Sequence, residues 1–291
     1  MRVYFDDIGG IRTRYFRAGR GSPVLLLHGV GMTADSWCRT IMPLYEDYDV
    51  IAPDLLGSGF TESGSYIGGP PHGPMLDHLE ALIDRLHLDD VTLIGSSFGA
   101  ALSILLYHRR PDAFSSMVIV SSGSTFKSAE ELAEMYDRAA KNGGSALADP
   151  SLQVCRERLG RLFYDPSRIP QELLLLQLTP YALPTALPSF ETRMQGMTDV
   201  EAMRPFAIGD RLRAIKIPVL GVWGKQDPRG DYEGAAEKLS ALPNVELKVI
   251  DRCGHLPHLE QSEQFLEIIR AFLKMHTSSA TSSNTNIKVE P

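Results

Sequence analysis

Val91-Thr92-Leu93-Ile94-Gly95-Ser96-Ser97-Phe98-Gly99-Ala100-Ala101 is the stretch that decides how this 291-residue chain folds. Its first four residues, apolar or β-branched, suit a short strand buried on both faces of a sheet. Gly95 to Gly99 then make a tight turn, and a helix built on small residues (Ala100, Ala101, Ser103) leaves it and stops before Pro111. A serine on such a strand-to-helix turn is strained, and glycines flank it where side chains would clash. The new helix points its N-terminus at that serine and favours negative charge there. Spacing from both glycines selects Ser97. Ser96 holds the first variable position, where it either hydrogen-bonds near a pocket or is simply small.

Outward from this turn, strands and helices alternate. Val3 to Ile8 and Ile11 to Phe16 flank Gly9-Gly10, a hairpin signal. Pro23 to Leu27 reads as a doubly buried strand ending in His28-Gly29-Val30-Gly31-Met32, with a helical stretch near 35–45. Val50-Ile51-Ala52 opens into Asp54-Leu55-Leu56-Gly57-Ser58-Gly59, and helical periodicity returns at Met75, Leu79, Leu82, Ile83 and Leu86. Ser116 to Val120, Ile217 to Trp223 and Val245 to Ile250 read as further strands, and Ser262 to Lys274 as the last helix. The alternation implies an α/β fold with a parallel, doubly wound sheet. Residues 124–205 depart from it, with helical segments punctuated by prolines such as Pro166, Pro180 and Pro188, and no convincing strand. They read as a helical lid over the strands' C-terminal edge, where open sheets keep their sites. The expected organisation is a core of residues 1–123 and 206–275, a lid of 124–205, and a Ser/Thr/Asn-rich disordered tail, 276–291.

A serine hydroxyl needs a base to remove its proton. Of the eight histidines, His255 is placed best, after the last strand and before the last helix in Cys253-Gly254-His255. His258 starts the helical run and reads as a surface or lid contact; His28 reads as ordering the loop that follows it. The base needs an acid to hold its tautomer. Asp227, just after a strand in Trp223 to Pro228, is the first candidate, with Asp231 next and Asp251 behind. The chain order Ser97, Asp227, His255 is the one this turn predicts. Two N–H groups should hold an oxyanion, the backbone amides of Phe98 and Val30, with Gly29 and Gly31 allowing close approach. Substrate contacts are expected from Gly29, Gly31, Ser96, Gln177 and Leu256, and the lid aromatics Phe126, Tyr181 and Phe190 are candidates to face Ser97.

Composition sets the remaining bounds. Hydrophobic residues at 43% and charged residues at 22% are ordinary for a globular domain. The net charge of −7 and the absence of a basic stripe speak against nucleic acid. Three widely spaced cysteines, Cys38, Cys155 and Cys253, suggest reduced thiols, no zinc site and a cytoplasmic setting. No apolar run approaches the roughly 20 residues of a membrane helix, so no membrane association is expected. The expected partner is a small-molecule substrate, with no metal and no organic cofactor. Homo-oligomerisation stays open.

Over about residues 2–275 the chain resembles the α/β-hydrolase family. The resemblance is carried by His28 to Gly31, Asp54 to Gly59, Gly95 to Gly99, Gly224 to Asp227, and Gly254-His255 with Pro257 and Glu260 behind it. It implies an eight-stranded, mostly parallel sheet with a cap inserted after the sixth strand. Phe163-Tyr164-Asp165-Pro166-Ser167, followed by Glu172-Leu173, resembles the lid of meta-cleavage-product hydrolases, which cleave C–C bonds. That branch usually has Asn where this chain has Ser96, Trp where it has Leu256, and an Arg near Leu174-Leu175-Leu176-Gln177. Without that carboxylate clamp a neutral, more apolar substrate is expected. The leading expectation is therefore hydrolysis of an apolar carboxylic ester or lactone through an acyl-enzyme. C–C bond hydrolysis is the alternative, and a ligand-sensing or non-hydrolytic protein on the same fold a further one.

Overall fold

The computed structural model describes residues 1–277 apart from 231, 240, 241 and 243, and the side chains of all these except Asn142 and Asp210. Eight strands form one sheet: β1 (Arg2–Ile8), β2 (Ile11–Ala18), β3 (Ser22–Leu27), β4 (Tyr48–Pro53), β5 (Val91–Ser96), β6 (Phe114–Val120), β7 (Val219–Gly224) and β8 (Val245–Ile250). Their spatial order is β1-β2-β4-β3-β5-β6-β7-β8. β2 alone runs against its neighbours, and every other pair is parallel. Gly9 (φ 62°) and Gly10 (φ 82°) both lie in the left-handed region, as a two-residue turn between right-twisted strands requires.

The helices are α1 (Cys38–Leu44), α2 (His72–Leu86), α3 (Phe98–Arg109), α4 (Ala129–Ala148), α5 (Leu152–Gly160), α6 (Gln171–Tyr181), α7 (Ala186–Gly196), α8 (Val200–Met203), α9 (Tyr232–Leu239), α10 (Pro257–Glu260) and α11 (Ser262–His276). Side chains alternate across the central strands. Leu25, Leu27, Leu93, Met117 and Ile119 join the core under α2 and α3. Val24, Leu26, Ile94, Val118 and Val120 join a second core with Ile41 of α1 and Phe265, Ile269 and Phe272 of α11. Burial on both faces explains why these strands read as continuous apolar runs and not as alternating ones. Each fully buried aliphatic side chain stabilises the sheet by about 1.5–3 kcal/mol.

Between β6 and β7 the described chain is helical or irregular, α4 to α8, with no strand. The register places the ends that matter side by side. Leu27 pairs with Gly95, which sets the loop after β3 beside Ser97; Gly224 pairs with Ile250, which sets Asp227 near the loop that carries His255. α11 runs on to His276, which therefore ends a helix and does not start the tail. The rest of the expected tail, 278–291, lies outside the described residues.

Candidate active site

Ser97 sits between β5 and α3 at φ 53° and ψ −114°, a region that few non-glycine residues occupy. Several contacts over-determine it. Its amide donates to Val120 O (2.8 Å), and its carbonyl accepts from Ser122 Oγ (2.7 Å). A Cβ on Gly99 would strike the Leu27 carbonyl, and one on Gly95 would strike the first turn of α3, so only glycine closes this turn. Gly29 faces the serine directly, since a Cβ there would lie 3.3 Å from Ser97 Cβ. The backbone amides of Val30 and Phe98 meet no acceptor among the described residues, and both residues border the cavity that holds Ser97. Two unpaired amides beside a serine are free to hold an oxyanion.

His255 is 6% exposed, and its Nδ1 lies 2.9 Å from each carboxylate oxygen of Asp227. A carboxylate only accepts, so Nδ1 carries the proton and Nε2 is left with its lone pair. The Asp227 carboxylate is nearly sealed at 1% side-chain exposure. Its Oδ1 also accepts from the Arg229 amide at 2.8 Å, which fixes the turn. His255 and Ser97 border one cavity but do not hydrogen-bond to each other among the described residues; such bonds tighten when substrate arrives. Asp231 lies outside the described residues, and Asp251 is on the surface, accepting from Gln226 Nε2 at 3.0 Å. Cys253 is fully buried; burial, with Glu260 and Asp227 nearby, pushes its thiol pKa up, so it offers no thiolate.

The cavity over Ser97 measures about 110 Å³. Met135, Tyr136, Ala139 and Gly143, along one face of α4, form its roof, and Met32, Leu162 and Leu256 its apolar walls. Arg158, Arg161 and Arg229 also border it. Desolvation, then the charges of Arg158, Arg161 and Arg138, lower the pKa of Arg229, while Asp227 raises it. Positive charge is therefore concentrated around this mouth, ready for an anion.

The inserted helices are bolted to the loop after β3. The Gly31 carbonyl accepts from Tyr181 Oη (2.7 Å), Arg158 Nη1 (3.1 Å) and Gln177 Nε2 (3.3 Å). Glu260, 3% exposed, does the same for the histidine loop, accepting from the amides of Gly254 (2.7 Å), Asp165 (2.9 Å) and Tyr164 (3.1 Å). The Phe163 to Ser167 segment thus docks on the loop that carries His255. Asp54, fully buried, ties the loops after β3 and β4 to the Arg14 guanidinium and to the amides of Ala34 and Phe60, each at 2.8 Å or less. His28 accepts from the Leu55 amide (3.0 Å) and stays neutral, since burial lowers its pKa.

Several expected contacts fall elsewhere. Ser96, Gly29 and Leu256 border the cavity, and the Ser96 hydroxyl is buried there without a partner among the described residues. Gly31 and Gln177 do not border it, because they bond to each other. Phe126 stacks on Trp223 (6.2 Å), Tyr181 serves Gly31, and Phe190 borders other clefts, so none of the three faces Ser97. His258 is not a surface contact: it is 1% exposed, 4.2 Å from the Trp37 ring and 6.0 Å from Phe265. The described residues include no cluster of three or more His, Cys, Asp or Glu placed to hold a metal, and no helix long and apolar enough to cross a membrane.

A sheet of this order, with a serine on the β5–α3 turn and a histidine–aspartate pair beside it, defines a class. The alpha/beta hydrolase fold profile matches residues 22–262, and the chain belongs to that family. It is similar to the 2-hydroxy-6-oxo-2,4-heptadienoate hydrolase of Pseudomonas putida (strain F1), at 30% identity over 91% of this chain and 94% of the relative. The 2-hydroxy-6-oxo-6-phenylhexa-2,4-dienoate hydrolase of Rhodococcus sp. strain RHA1 superposes with a TM-score of 0.78 at 25% identity, over 94% of this chain and all (100%) of that one. A thermophilic esterase from Thermogutta terrifontis, with malate bound, gives 0.76 at 26% identity over 92% and 95% of the two chains.

Proposed function

We propose that this hydrolase cleaves a C–C bond in an anionic, vinylogous diketone acid of the meta-cleavage-product type. The observation that carries the reading is the convergence of Arg158, Arg161 and Arg229 on the cavity that holds Ser97. A neutral ester or lactone was expected because Leu174 to Gln177 lack an arginine. The guanidiniums come instead from α5, from the turn after it, and from the loop after β7. Relatives named as dienoate hydrolases support the same preference over the ester reading.

Asp227 holds His255 with Nε2 towards the cavity. His255 takes the Ser97 proton as Oγ attacks the ketone carbon, and the amides of Val30 and Phe98 hold the resulting oxyanion. The C–C bond breaks with its electron pair moving into the conjugated chain as an enolate, which the surrounding guanidiniums stabilise. His255 returns the proton to the enolate oxygen, which completes the hydroxydienoic acid. Water, deprotonated by His255, then opens the acyl-enzyme. One water is consumed, and a hydroxydienoic acid and a second carboxylic acid leave. The lid, residues 124–205, closes the cavity from above.

Ester hydrolysis is the second reading, since the same groups suffice and the esterase shares the fold. Labelling with a fluorophosphonate, followed by peptide mapping, tests the chemistry common to both. One adduct on Ser97 is expected, and a folded protein that takes no adduct would overturn the nucleophile assignment.

A further inference from the structure

A second cleft of about 420 Å³ opens between the loop after β4 and helices α6 and α7. Arg193, 7% exposed, forms part of its wall. Nη1 of Arg193 donates to the Gly57 carbonyl and to Ser189 Oγ (2.6 Å), while Nε and Nη2 donate to no described residue. No carboxylate lies within ion-pair distance of it among the described residues. Burial lowers its pKa to about 10, which leaves it charged at neutral pH. A buried cation without a counter-ion is unfavourable, and an anion within reach relieves it. Beside it, the hydroxyls of Ser63 and Ser189 lie 2.9 Å apart. Phe60, Leu183 and Phe190 give the same cleft an apolar wall.

We propose that this cleft is a second binding site, for an organic carboxylate with an apolar body. The carboxylate takes the Nε–Nη2 edge of Arg193 as a bidentate pair, with the two serine hydroxyls beside it, and the body lies on the apolar wall. Met32 alone borders both this cleft and the cavity over Ser97, and a narrower third cleft, lined by Val30, Phe98 and Arg193 among others, touches residues of each. Arg193 and Ser189 belong to α7, while Gly57 and Ser63 belong to the loop after β4. An occupant would therefore hold α7 on that loop. The site does not depend on the reaction assigned to Ser97.

Benzoate is the probe, titrated by calorimetry into the full chain and three variants. Arg229→Met, whose side chain borders the Ser97 cavity and not this cleft, should keep a benzoate site. Arg193→Met should bind at least about tenfold more weakly, the loss of a charge-assisted hydrogen bond. Ala186→Phe fills the cleft from α7 while leaving the bonds of Arg193 intact, so it should also lose the site, and it decides the matter if Arg193→Met does not fold. Binding that survives in Arg193→Met and Ala186→Phe but vanishes in Arg229→Met would assign benzoate to the Ser97 cavity and overturn the proposal. So would the absence of any benzoate binding by the unaltered protein.

Discussion

His258 is packed against Trp37 with neither ring nitrogen hydrogen-bonded among the described residues. Burial, then the neighbouring His255, pulls its pKa down to about 3. Burial alone takes His72 to about 3 and His78 to about 4. In the unfolded chain each returns to about 6.5. Above that value neither state binds the proton, so stability is unaffected. As pH falls from about 6.5 towards 4, the unfolded state binds more protons and stability drops. At about pH 5 the loss is about 2 kcal/mol per histidine, roughly 6 kcal/mol for the three. That is comparable to the whole stability of many domains, about 5–15 kcal/mol. His258→Leu removes one titration while keeping the site apolar. Urea unfolding, followed through the fluorescence of the buried Trp37 and Trp223, should show the parent losing about 2 kcal/mol more than the variant between about pH 7.5 and pH 5. Equal losses in the two proteins would refute the reasoning.

Other perturbations separate the parts of the site. Asp227→Asn should lower kcat by about 10³–10⁴-fold with little change in KM, because the wrong tautomer of His255 would face Ser97; steady-state kinetics reads this. Arg229→Met should raise KM for an acidic substrate by about 10–100-fold, yet leave a neutral ester nearly unaffected. Glu260→Gln removes the charge that three amides share and should cost about 2–3 kcal/mol in urea unfolding, with activity falling as the His255 loop loosens. Gly99→Ala drives a methyl into the Leu27 carbonyl and should yield no soluble folded protein on expression and gel filtration.

Motif and context lie together along the chain for the Ser97 turn and for the loops of Asp227 and His255. Strand, turn and helix signals there are local, and each follows a strand of one sheet, so their convergence was legible. The lining of the cavity was not. Met135, Tyr136, Ala139 and Gly143 have helical spacing, but nothing in that spacing says which face of α4 meets the sheet. The guanidiniums come from segments with no shared motif, and a search confined to the stretch around Gln177 misses them. Gln177 itself went to the Gly31 carbonyl, where Arg158 and Tyr181 also donate. His258 reads as a surface residue from sequence because its two aromatic neighbours, Trp37 and Phe265, meet it only in the fold.

The central claim is most directly tested by adding the enzyme to 2-hydroxy-6-oxo-2,4-heptadienoate and related dienoates and following the dienolate's visible absorbance. Decay at turnover rates with the parent protein, and none with Ser97→Ala, is the predicted result. No decay with any dienoate, from protein that hydrolyses p-nitrophenyl esters through Ser97, would contradict the C–C assignment and leave the esterase reading in its place.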